Sequence, residues 1–305
     1  MVPLTVIGGY LGAGKTTLVN HLLRDAGGRR LALVVNDFGA LNIDADLIES
    51  RGEEQVNLTN GCICCGMSDG FDAALDDLLA LAPPPDHIIV EASGVADVGV
   101  LGRYGHLPGL SPDGVLVLAD ATQIRRQADD RYIGSTIKRQ LRAANLIIAT
   151  KVDLLAAGQK EPLEDWLREQ AGATPTLYSD ASGLPLDLIL GALPTNGGQT
   201  SGEANEEHHA HPHYVSWSYR EDGAVTTEQL DAFTRALPDS AVRVKGVINV
   251  DGARVVLQRT GLVQELTPTD QAATETQLVA IGLREQFDPA TMDRAARHLS
   301  PAATP

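Results

Sequence analysis

The sequence predicts an α/β protein with a doubly wound, mostly parallel β-sheet, followed by a smaller α+β domain. Three observations lead to this fold class. Up to Leu193, short aliphatic runs alternate with amphipathic segments, which is the rhythm of strands and crossover helices in a parallel sheet. A glycine-rich loop follows the first of these aliphatic runs. After Leu193 the rhythm ends, and a polar stretch leads into a second, strand-rich pattern.

In the first unit, residues 1–193, strands are predicted where short aliphatic runs end in polar or turn-forming residues. These predicted strands are Leu4–Ile7, Leu31–Asn36, Glu54–Leu58, His87–Glu91, Gly114–Ala119, Leu146–Thr150 and Thr176–Ser179. Helices are predicted where apolar residues recur every three or four positions. These predicted helices are Lys15–Arg24, Asp69–Leu81, Ile133–Ala143 and Leu163–Gln170.

Residues 194–213 have almost no apolar side chains, so they are predicted to form a linker. Residues 214–305 are predicted to form the second domain, because strand and helix patterns return there. The predicted elements are a strand at Tyr214–Arg220, a helix at Thr227–Leu237, two strands around a turn at Asp251-Gly252, a strand near Gln277–Leu283 and a helix from Pro289 to Leu299.

The composition excludes several classes of protein. Of 305 residues, 43% are hydrophobic and 4% aromatic, which predicts a soluble protein with an aliphatic core. Lys and Arg total 24 and Asp and Glu total 40, so the net charge of −16 argues against nucleic acid and anionic membranes as partners. No run approaches the roughly 18 apolar residues of a membrane span, and no signal peptide is expected at the start. We therefore expect a cytoplasmic protein with reduced thiols.

The strongest local signal is the glycine-rich loop, which fits the phosphate-binding pattern between a strand and a helix. Its glycines let backbone N–H groups approach phosphates, and the following helix N-terminus adds positive potential. Lys15 would reach the β- and γ-phosphates, and the Thr16 hydroxyl would bind Mg²⁺. The fold class is therefore that of a P-loop NTPase. The predicted nucleotide-binding residues of the loop are Gly9, Gly12, Ala13, Gly14, Lys15, Thr16 and Thr17.

Two carboxylates follow predicted strands of the same sheet, Asp37 after the second strand and Glu91 at the end of His87–Glu91. Ligands of doubly wound sheets bind beyond the carboxyl ends of the strands. Asp37 or Glu91 could therefore hold Mg²⁺ directly or through water, and Glu91 or its neighbours could orient the attacking water. The alternative is that either acid only caps a helix. Lys15, Asp37 and Glu91 are thus the predicted catalytic residues, and Thr16, Asp37 and Glu91 the predicted Mg²⁺ ligands.

A candidate base-reading motif, Thr150-Lys151-Val152-Asp153, lies at another strand end. It matches the guanine-specifying pattern Asn/Thr-Lys-x-Asp, in which the Asp carboxylate accepts hydrogen bonds from guanine N1–H and N2–H. The Lys151 stem would stack on the base, and Thr150 replaces the more frequent Asn. Residues 178–181, after the next strand, are a candidate for a loop that covers the base.

All three cysteines, Cys62, Cys64 and Cys65, lie in one short loop flanked by glycines. Thiolates are soft ligands that suit Zn²⁺, Cu⁺ or another thiophilic ion. Three thiols leave one coordination position open, which a site that transfers its metal needs and a structural site avoids. The alternatives are that these cysteines act as small hydrophobic residues or as redox or catalytic thiols.

The predicted linker also carries a histidine tract. Such a tract can collect borderline metals through neutral imidazoles, or it can simply be a solvated linker. Its four histidines, half of the eight in the chain, are His208, His209, His211 and His213.

Together these motifs resemble those of the CobW-type metallochaperone GTPase family. The resemblance covers about residues 3–300 and rests on six matches. These are the P-loop at Gly9–Thr17, a switch segment at Asn36–Gly39, the Gly-Cys-x-Cys-Cys motif at Gly61–Cys65, a Glu-x-Ser-Gly strand end at Glu91–Gly94, the guanine motif at Thr150–Asp153 and an Arg-x-Lys-Gly strand at Arg243–Gly246.

The switch segment departs from the pattern of this family. Family members often carry acids on both sides of it, as in Glu-Asn-Glu-x-Gly-Glu. The corresponding positions here are Val35, Asp37 and Ala40, so only Asp37 remains. A Mg²⁺ role for Asp37 is still expected.

The resemblance implies a GTP-dependent metallochaperone that uses Mg²⁺ and binds Zn²⁺, or Co²⁺ as the second choice, at the three cysteines. GTP binding and hydrolysis would be coupled to metal delivery to a client protein or a cofactor pathway, with the C-terminal domain supplying the client surface. Two alternatives stay open. One is an ATP-using P-loop kinase with a structural metal loop, and the other is a non-catalytic nucleotide-binding protein that buffers metal.

Overall fold

The computed structural model describes residues 1–36, 68–179, 184–191, 214–269 and 275–299. The chain divides into two compact units, Met1–Leu186 and Asp187–Pro305. The predicted strand Glu54–Leu58 and the predicted linker, 194–213, lie outside the described residues, so both stay predictions. None of the helices in the described ranges has the length and apolar character needed to cross a lipid bilayer.

In the first unit, the described strands form a six-stranded parallel sheet in the order β2-β3-β1-β4-β5-β6. Their bounds are β1 Val2–Gly9, β2 Leu31–Asn36, β3 His87–Ala92, β4 Leu110–Asp120, β5 Leu146–Thr150 and β6 Thr176–Tyr178. The α-helices of this unit are α1 Lys15–Arg24, α2 Ser68–Leu79, α3 Val98–Arg103, α4 Ile124–Ala128, α5 Gly134–Ala143 and α6 Lys160–Ala171. Helix α7, Leu186–Leu190, begins at the last residue of this unit and continues into the second. The α/β fold class read from the sequence is confirmed.

The central strands of this sheet are buried on both faces. All residues of β3 and of β5 are buried, and Ile88, Ile89 and Val90 have no exposed surface. Strands that are covered on both faces appear in the sequence as continuous aliphatic runs rather than as alternating patterns. This is why β5 begins and ends where the sequence predicted.

Strand β4 begins at Leu110, four positions before the predicted start at Gly114, and the difference has a physical cause. Polar Asp113 interrupts the aliphatic pattern, yet its side chain is buried. Its Oδ2 atom accepts a hydrogen bond from the hydroxyl of Thr5 at 2.8 Å and lies 3.4 Å from Nε2 of His87. Neighbouring strands therefore satisfy this carboxylate inside the sheet, which a single-strand pattern cannot show.

The second unit contains an antiparallel sheet of five described strands in the order β10-β9-β8-β11-β7. Its core includes Trp217, Phe233, Leu257 and Met292. The strands are β7 Tyr214–Asp222, β8 Ala241–Val250, β9 Ala253–Thr260, β10 Val263–Pro268 and β11 Glu275–Leu283, and the helices are α8 Thr227–Ala236 and α9 Pro289–Ala296. The α+β character predicted for this part of the chain is confirmed.

The turn between β8 and β9 lies at the predicted Asp251-Gly252 pair. Both residues have positive φ angles, 49° for Asp251 and 84° for Gly252. Two successive positive φ angles are what a tight two-residue hairpin turn needs, and Asp-Gly supplies them at low cost. The strand β10 was missed because it is an edge strand in which exposed and half-buried positions alternate, and it ends in Pro268.

Candidate functional site

The P-loop connects the end of β1 to the start of α1. Gly9 has φ 129°, and a Cβ atom there would lie 2.3 Å from the carbonyl oxygen of Leu118 on the neighbouring strand. Gly14, with φ 100°, caps the N-terminus of α1 in the left-handed conformation. These positions require glycine, so the loop can wrap a phosphate with backbone N–H groups directed at it.

Lys15 and Thr16 follow at the N-terminus of α1, as the motif predicted. Lys15 is 9% exposed, and its backbone lies in the first turn of the helix, where the helix dipole favours an anion. The side chain of Thr16 is half-buried and Thr17 is exposed. Both the loop and the helix start are therefore arranged for phosphate oxygens.

Thr16 is in direct contact with Glu91, which brings two predicted Mg²⁺ ligands together. The Thr16 hydroxyl donates a hydrogen bond to Oε1 of Glu91 at 2.9 Å. Glu91 is 3% exposed, and it lies opposite Ile7 in the pairing of β3 with β1, near the end of the strand that carries the P-loop. Hydroxyl and carboxylate oxygens are the hard donors that Mg²⁺ prefers, so the donor chemistry of this pair fits the ion.

The segment after Glu91 approaches the tip of the P-loop. A Cβ atom on Gly94 would lie 3.0 Å from the backbone nitrogen of Leu11, so the two loops are close. Gln140 of α5, 1% exposed, donates through Nε2 to the carbonyl oxygens of Ala96 at 2.9 Å and Gly94 at 3.3 Å. A buried amide thus holds the loop that follows the strand-end acid. Sequence reasoning missed Gln140, because nothing in a helix pattern identifies its partners.

The candidate guanine motif is attached to the P-loop by Thr150. The Thr150 hydroxyl donates to the carbonyl oxygen of Ala13 at 2.9 Å and approaches that of Ala119 at 3.4 Å. Thr150 is 2% exposed, so water does not compete for this bond. A hydrogen bond across 137 positions of sequence therefore places the phosphate loop and the start of the base-reading motif side by side.

Asp153 lies in a short 3₁₀ segment, Val152–Leu154, and Lys151 precedes this segment as its N-cap in the left-handed conformation at φ 57°. The Lys151 ammonium lies 2.6 Å from Oδ2 of Asp120 at the end of β4, and Asp153 is exposed. Asp120 was not among the predicted site residues. The sequence feature that could have identified it is a carboxylate at a strand end, directly after Val115–Ala119. The same pattern identified Glu91.

Several predicted site residues cannot be placed. The predicted Mg²⁺ ligand Asp37, the metal-binding cysteines and the histidine tract all lie outside the described residues, so their roles stay predictions. Within the described ranges, no group of three or more His, Cys, Asp or Glu side chains could hold a metal ion. The predicted residues outside those ranges are Asp37, Cys62, Cys64, Cys65, His208, His209, His211 and His213.

Comparison with known proteins gives matches over both parts of the chain. Residues 3–177 match the nucleotide-binding domain described as CobW/HypB/UreG, and residues 214–299 match the cobalamin synthesis protein cobW C-terminal domain. The zinc chaperone CobW of Sinorhizobium sp is 31% identical over 97% of this chain and 95% of its own length. The zinc chaperone YjiA of Escherichia coli (strain K12) is 29% identical over 82% of this chain and 83% of its own. The crystal structure of Zn(II)-bound YjiA GTPase from E. coli is 24% identical, with a TM-score of 0.47 over 98% of this chain and 99% of that one.

Proposed function

Because the chain belongs to the CobW/HypB/UreG family, we propose that it is a GTP-dependent metallochaperone. As an enzyme it is a GTPase, which hydrolyses GTP to GDP and phosphate. Its cargo is a thiophilic transition metal, Zn²⁺ first and Co²⁺ second, held by Cys62, Cys64 and Cys65. GTP binding and hydrolysis govern the release of this metal to a client protein or a cofactor pathway.

One observation carries the nucleotide half of this proposal. The hydrogen bond from Thr150 to the carbonyl oxygen of Ala13 joins the phosphate loop to the base-reading motif. In the proposed complex, the P-loop amides and Lys15 bind the phosphates, and Asp153 accepts hydrogen bonds from the guanine edge. The two ends of one nucleotide are thereby bound by two loops that are fixed to each other.

The acids at the strand ends complete the proposed hydrolytic site. Thr16 and Glu91, with Asp37 as the third proposed ligand, are the residues that would hold Mg²⁺. When bound, Mg²⁺ would neutralise negative charge that develops on the phosphate oxygens. Glu91 accepts the hydrogen bond of Thr16 and orients the attacking water with its carboxylate, while Lys15 stabilises charge on the β- and γ-phosphates.

The chain path suggests how the two halves communicate. Strand β2 ends at Asn36, which lies opposite Ala92, the residue after Glu91. The three cysteines belong to residues 37–67, which connect Asn36 to Ser68 in the chain. We propose that nucleotide and Mg²⁺ at Glu91 and Asp37 order this segment, that the three thiolates then close on the metal, and that hydrolysis releases both.

We further propose residues 1–193 as the GTPase domain, 194–213 as a histidine-bearing linker with a weak metal affinity, and 214–305 as the domain that supplies the client surface. The net charge of −16 favours a protein client over nucleic acid or a membrane. The reduced state that the thiols need favours action in the cytoplasm.

Metal analysis of protein purified without a histidine tag, in the presence of GTP and Mg²⁺, tests the cargo. One Zn²⁺ per chain is expected in the wild type, and Cys64→Ser with Cys65→Ser should lose it while GTP binding stays. Equal metal content in the wild type and this variant would contradict the cysteine site.

Two outcomes would favour the alternative functions. A wild type that binds and turns over ATP in preference to GTP would favour the kinase alternative. Nucleotide binding with no acceleration of hydrolysis by metal or client would favour the metal-buffer alternative.

A further inference from the structure

The carboxylate of Asp120 accepts three hydrogen bonds beside the base-reading motif. It ends β4 and is 5% exposed. Its Oδ1 atom accepts hydrogen bonds from the Thr122 backbone nitrogen at 2.9 Å and from the Thr122 hydroxyl at 2.6 Å. Its Oδ2 atom accepts from the Lys151 ammonium at 2.6 Å. Both oxygens are thus engaged, and the carboxylate has one fixed orientation.

The charge of Asp120 is held in place by these bonds. Burial by itself raises the pKa of this carboxyl, but the hydrogen bonds from Lys151 and Thr122 outweigh it and keep the pKa below its ordinary value. The carboxylate is therefore ionised at neutral pH. Its side chain is 6% exposed and that of Lys151 is 40% exposed, so Asp120 is the anchored partner and Lys151 the one that would otherwise move.

The backbone of the motif is also fixed to the end of β4. Asp120 lies opposite Thr150 in the pairing of β4 with β5, and the nitrogen of Ala121 donates to the Thr150 carbonyl oxygen at 2.9 Å. Lys151 then adopts φ 57° and ψ 32°, a left-handed conformation that is unfavourable for a residue with a side chain. The ion pair with Asp120 stabilises this unusual turn, which leads directly to Asp153.

The position of the ammonium matters because Asp153 is only two residues away. A lysine with a free ammonium would be attracted to the exposed Asp153 carboxylate, and this would compete with the N–H donors of a guanine edge. Asp120 instead holds the ammonium at 2.6 Å from its own Oδ2 atom. The long lysine stem is then ordered before the base arrives, so less side-chain entropy is lost on binding.

We propose that Asp120 is a positioning residue for guanine specificity, and that it acts by holding Lys151 so that Asp153 faces the base. This inference rests on the proposed GTPase function, in which Lys151 and Asp153 contact guanine. It predicts that the loss of the Asp120 charge changes the selectivity between guanine and adenine nucleotides more than it changes binding of the phosphates.

The test compares dissociation constants for GDP and ADP, with Mg²⁺, in the wild type and in Asp120→Asn. We expect the ratio of ADP to GDP dissociation constants to fall by about tenfold in Asp120→Asn, chiefly through weaker GDP binding. Thr122→Val removes only the hydroxyl donor and should give a smaller fall, which keeps the test available if Asp120→Asn folds poorly. Asp86→Asn is the control, because it breaks a different Asp ion pair, with Arg30 at 2.8 Å, at the opposite end of the strands. It should leave the ratio unchanged.

A double-mutant cycle then separates positioning from a general structural role. In a Lys151→Gln background, Asp120→Asn should no longer alter the GDP/ADP selectivity. Suppose that the wild type prefers GDP. An unchanged ADP/GDP ratio of dissociation constants in Asp120→Asn would then overturn this inference alone. An equal fall of that ratio when Asp120→Asn is introduced in the Lys151→Gln background would do the same. A wild type that binds GDP and ADP equally would contradict the proposed GTP specificity and would overturn the inference with it.

Discussion

The hydroxyl of Thr16 donates a hydrogen bond to Oε1 of Glu91 at 2.9 Å. This bond joins the first turn of the helix after the P-loop to a buried carboxylate at the end of β3. Two residues that the sequence assigned separately to Mg²⁺ are therefore neighbours in space. The contact favours the proposed Mg²⁺ role of Glu91 over a role as a helix cap.

Replacing Glu91 by Gln should abolish most GTP hydrolysis and keep nucleotide binding. Glutamine has the same size and can still accept from the Thr16 hydroxyl, but it removes the charge that we propose orients the attacking water. We expect kcat to fall by at least about a hundredfold, the low end of what positioned acid–base groups contribute. Phosphate release at saturating GTP measures this, and the GTP dissociation constant serves as the control. A variant with near wild-type turnover would assign the water-orienting role to another residue.

Replacing Thr150 by Val should weaken nucleotide binding, because valine keeps the shape but cannot donate to Ala13. Thr174→Val is a matched control, since the Thr174 hydroxyl also contacts two carbonyl oxygens, those of Ala171 at 2.9 Å and Ala144 at 3.4 Å. Each variant should lose about 1 kcal/mol of unfolding free energy. Only Thr150→Val should also raise the GDP dissociation constant, measured by titration calorimetry. Equal GDP dissociation constants in the two variants would contradict a role for Thr150 in the nucleotide site.

Gly9 has a positive φ angle and a close contact with a neighbouring strand, whereas Gly12 has only the positive φ angle. Gly9→Ala places a Cβ atom 2.3 Å from the Leu118 carbonyl oxygen in a backbone with φ 129°, whereas Gly12→Ala at φ 77° meets nothing within 4 Å. We expect Gly12→Ala to cost about 1 kcal/mol of unfolding free energy and Gly9→Ala several times that. Urea denaturation of the two variants measures the difference. An equal loss of unfolding free energy in the two variants would contradict the close approach of β1 to β4 at Gly9.

Stability should decline in acid through two paired carboxyls, Asp86 and Asp120. Burial raises the pKa of each, but hydrogen bonds from Arg30 to Asp86 and from Lys151 and Thr122 to Asp120 lower it below the ordinary value of 3.8. The unfolded chain therefore binds protons first as the pH falls, so the stabilisation is present above the ordinary pKa and is lost as the pH falls through the folded pKa. Urea midpoints between pH 7 and pH 3 should drop less in Asp86→Asn and Asp120→Asn than in the wild type. An unchanged drop in both variants would refute this source of acid sensitivity.

The parts of the fold that the sequence predicted well are those where local pattern and burial agree. The P-loop helix α1 was predicted at its observed bounds, Lys15–Arg24, because its capping glycine and its apolar spacing coincide. Helices α3, α4 and α7 were omitted, and each spans only five or six residues. A helix of that length has no full repeat of apolar positions, so no periodic signal identifies it.

The site was predicted where one motif carries the chemistry and missed where the chemistry depends on strand pairing. Lys15 and Thr16 follow from the order of residues in a single loop. Asp120 and Gln140 act on Lys151 and Gly94 across strand and helix contacts, and their partners lie 31 and 46 positions away in sequence. Such pairs become visible only when the sheet order and the pairing register are known.

The central claim is that nucleotide at the P-loop changes metal affinity at Cys62, Cys64 and Cys65. The most direct measurement is the Zn²⁺ dissociation constant, by competition with a colorimetric chelator, for untagged protein with Mg²⁺ and either a non-hydrolysable GTP analogue or GDP. We expect binding with the analogue to be at least about tenfold tighter, within the 5–150-fold range of typical coupling between sites. Cys64→Ser with Cys65→Ser should show weak binding in both nucleotide states. Equal Zn²⁺ affinity of the wild type with the analogue and with GDP would contradict the account.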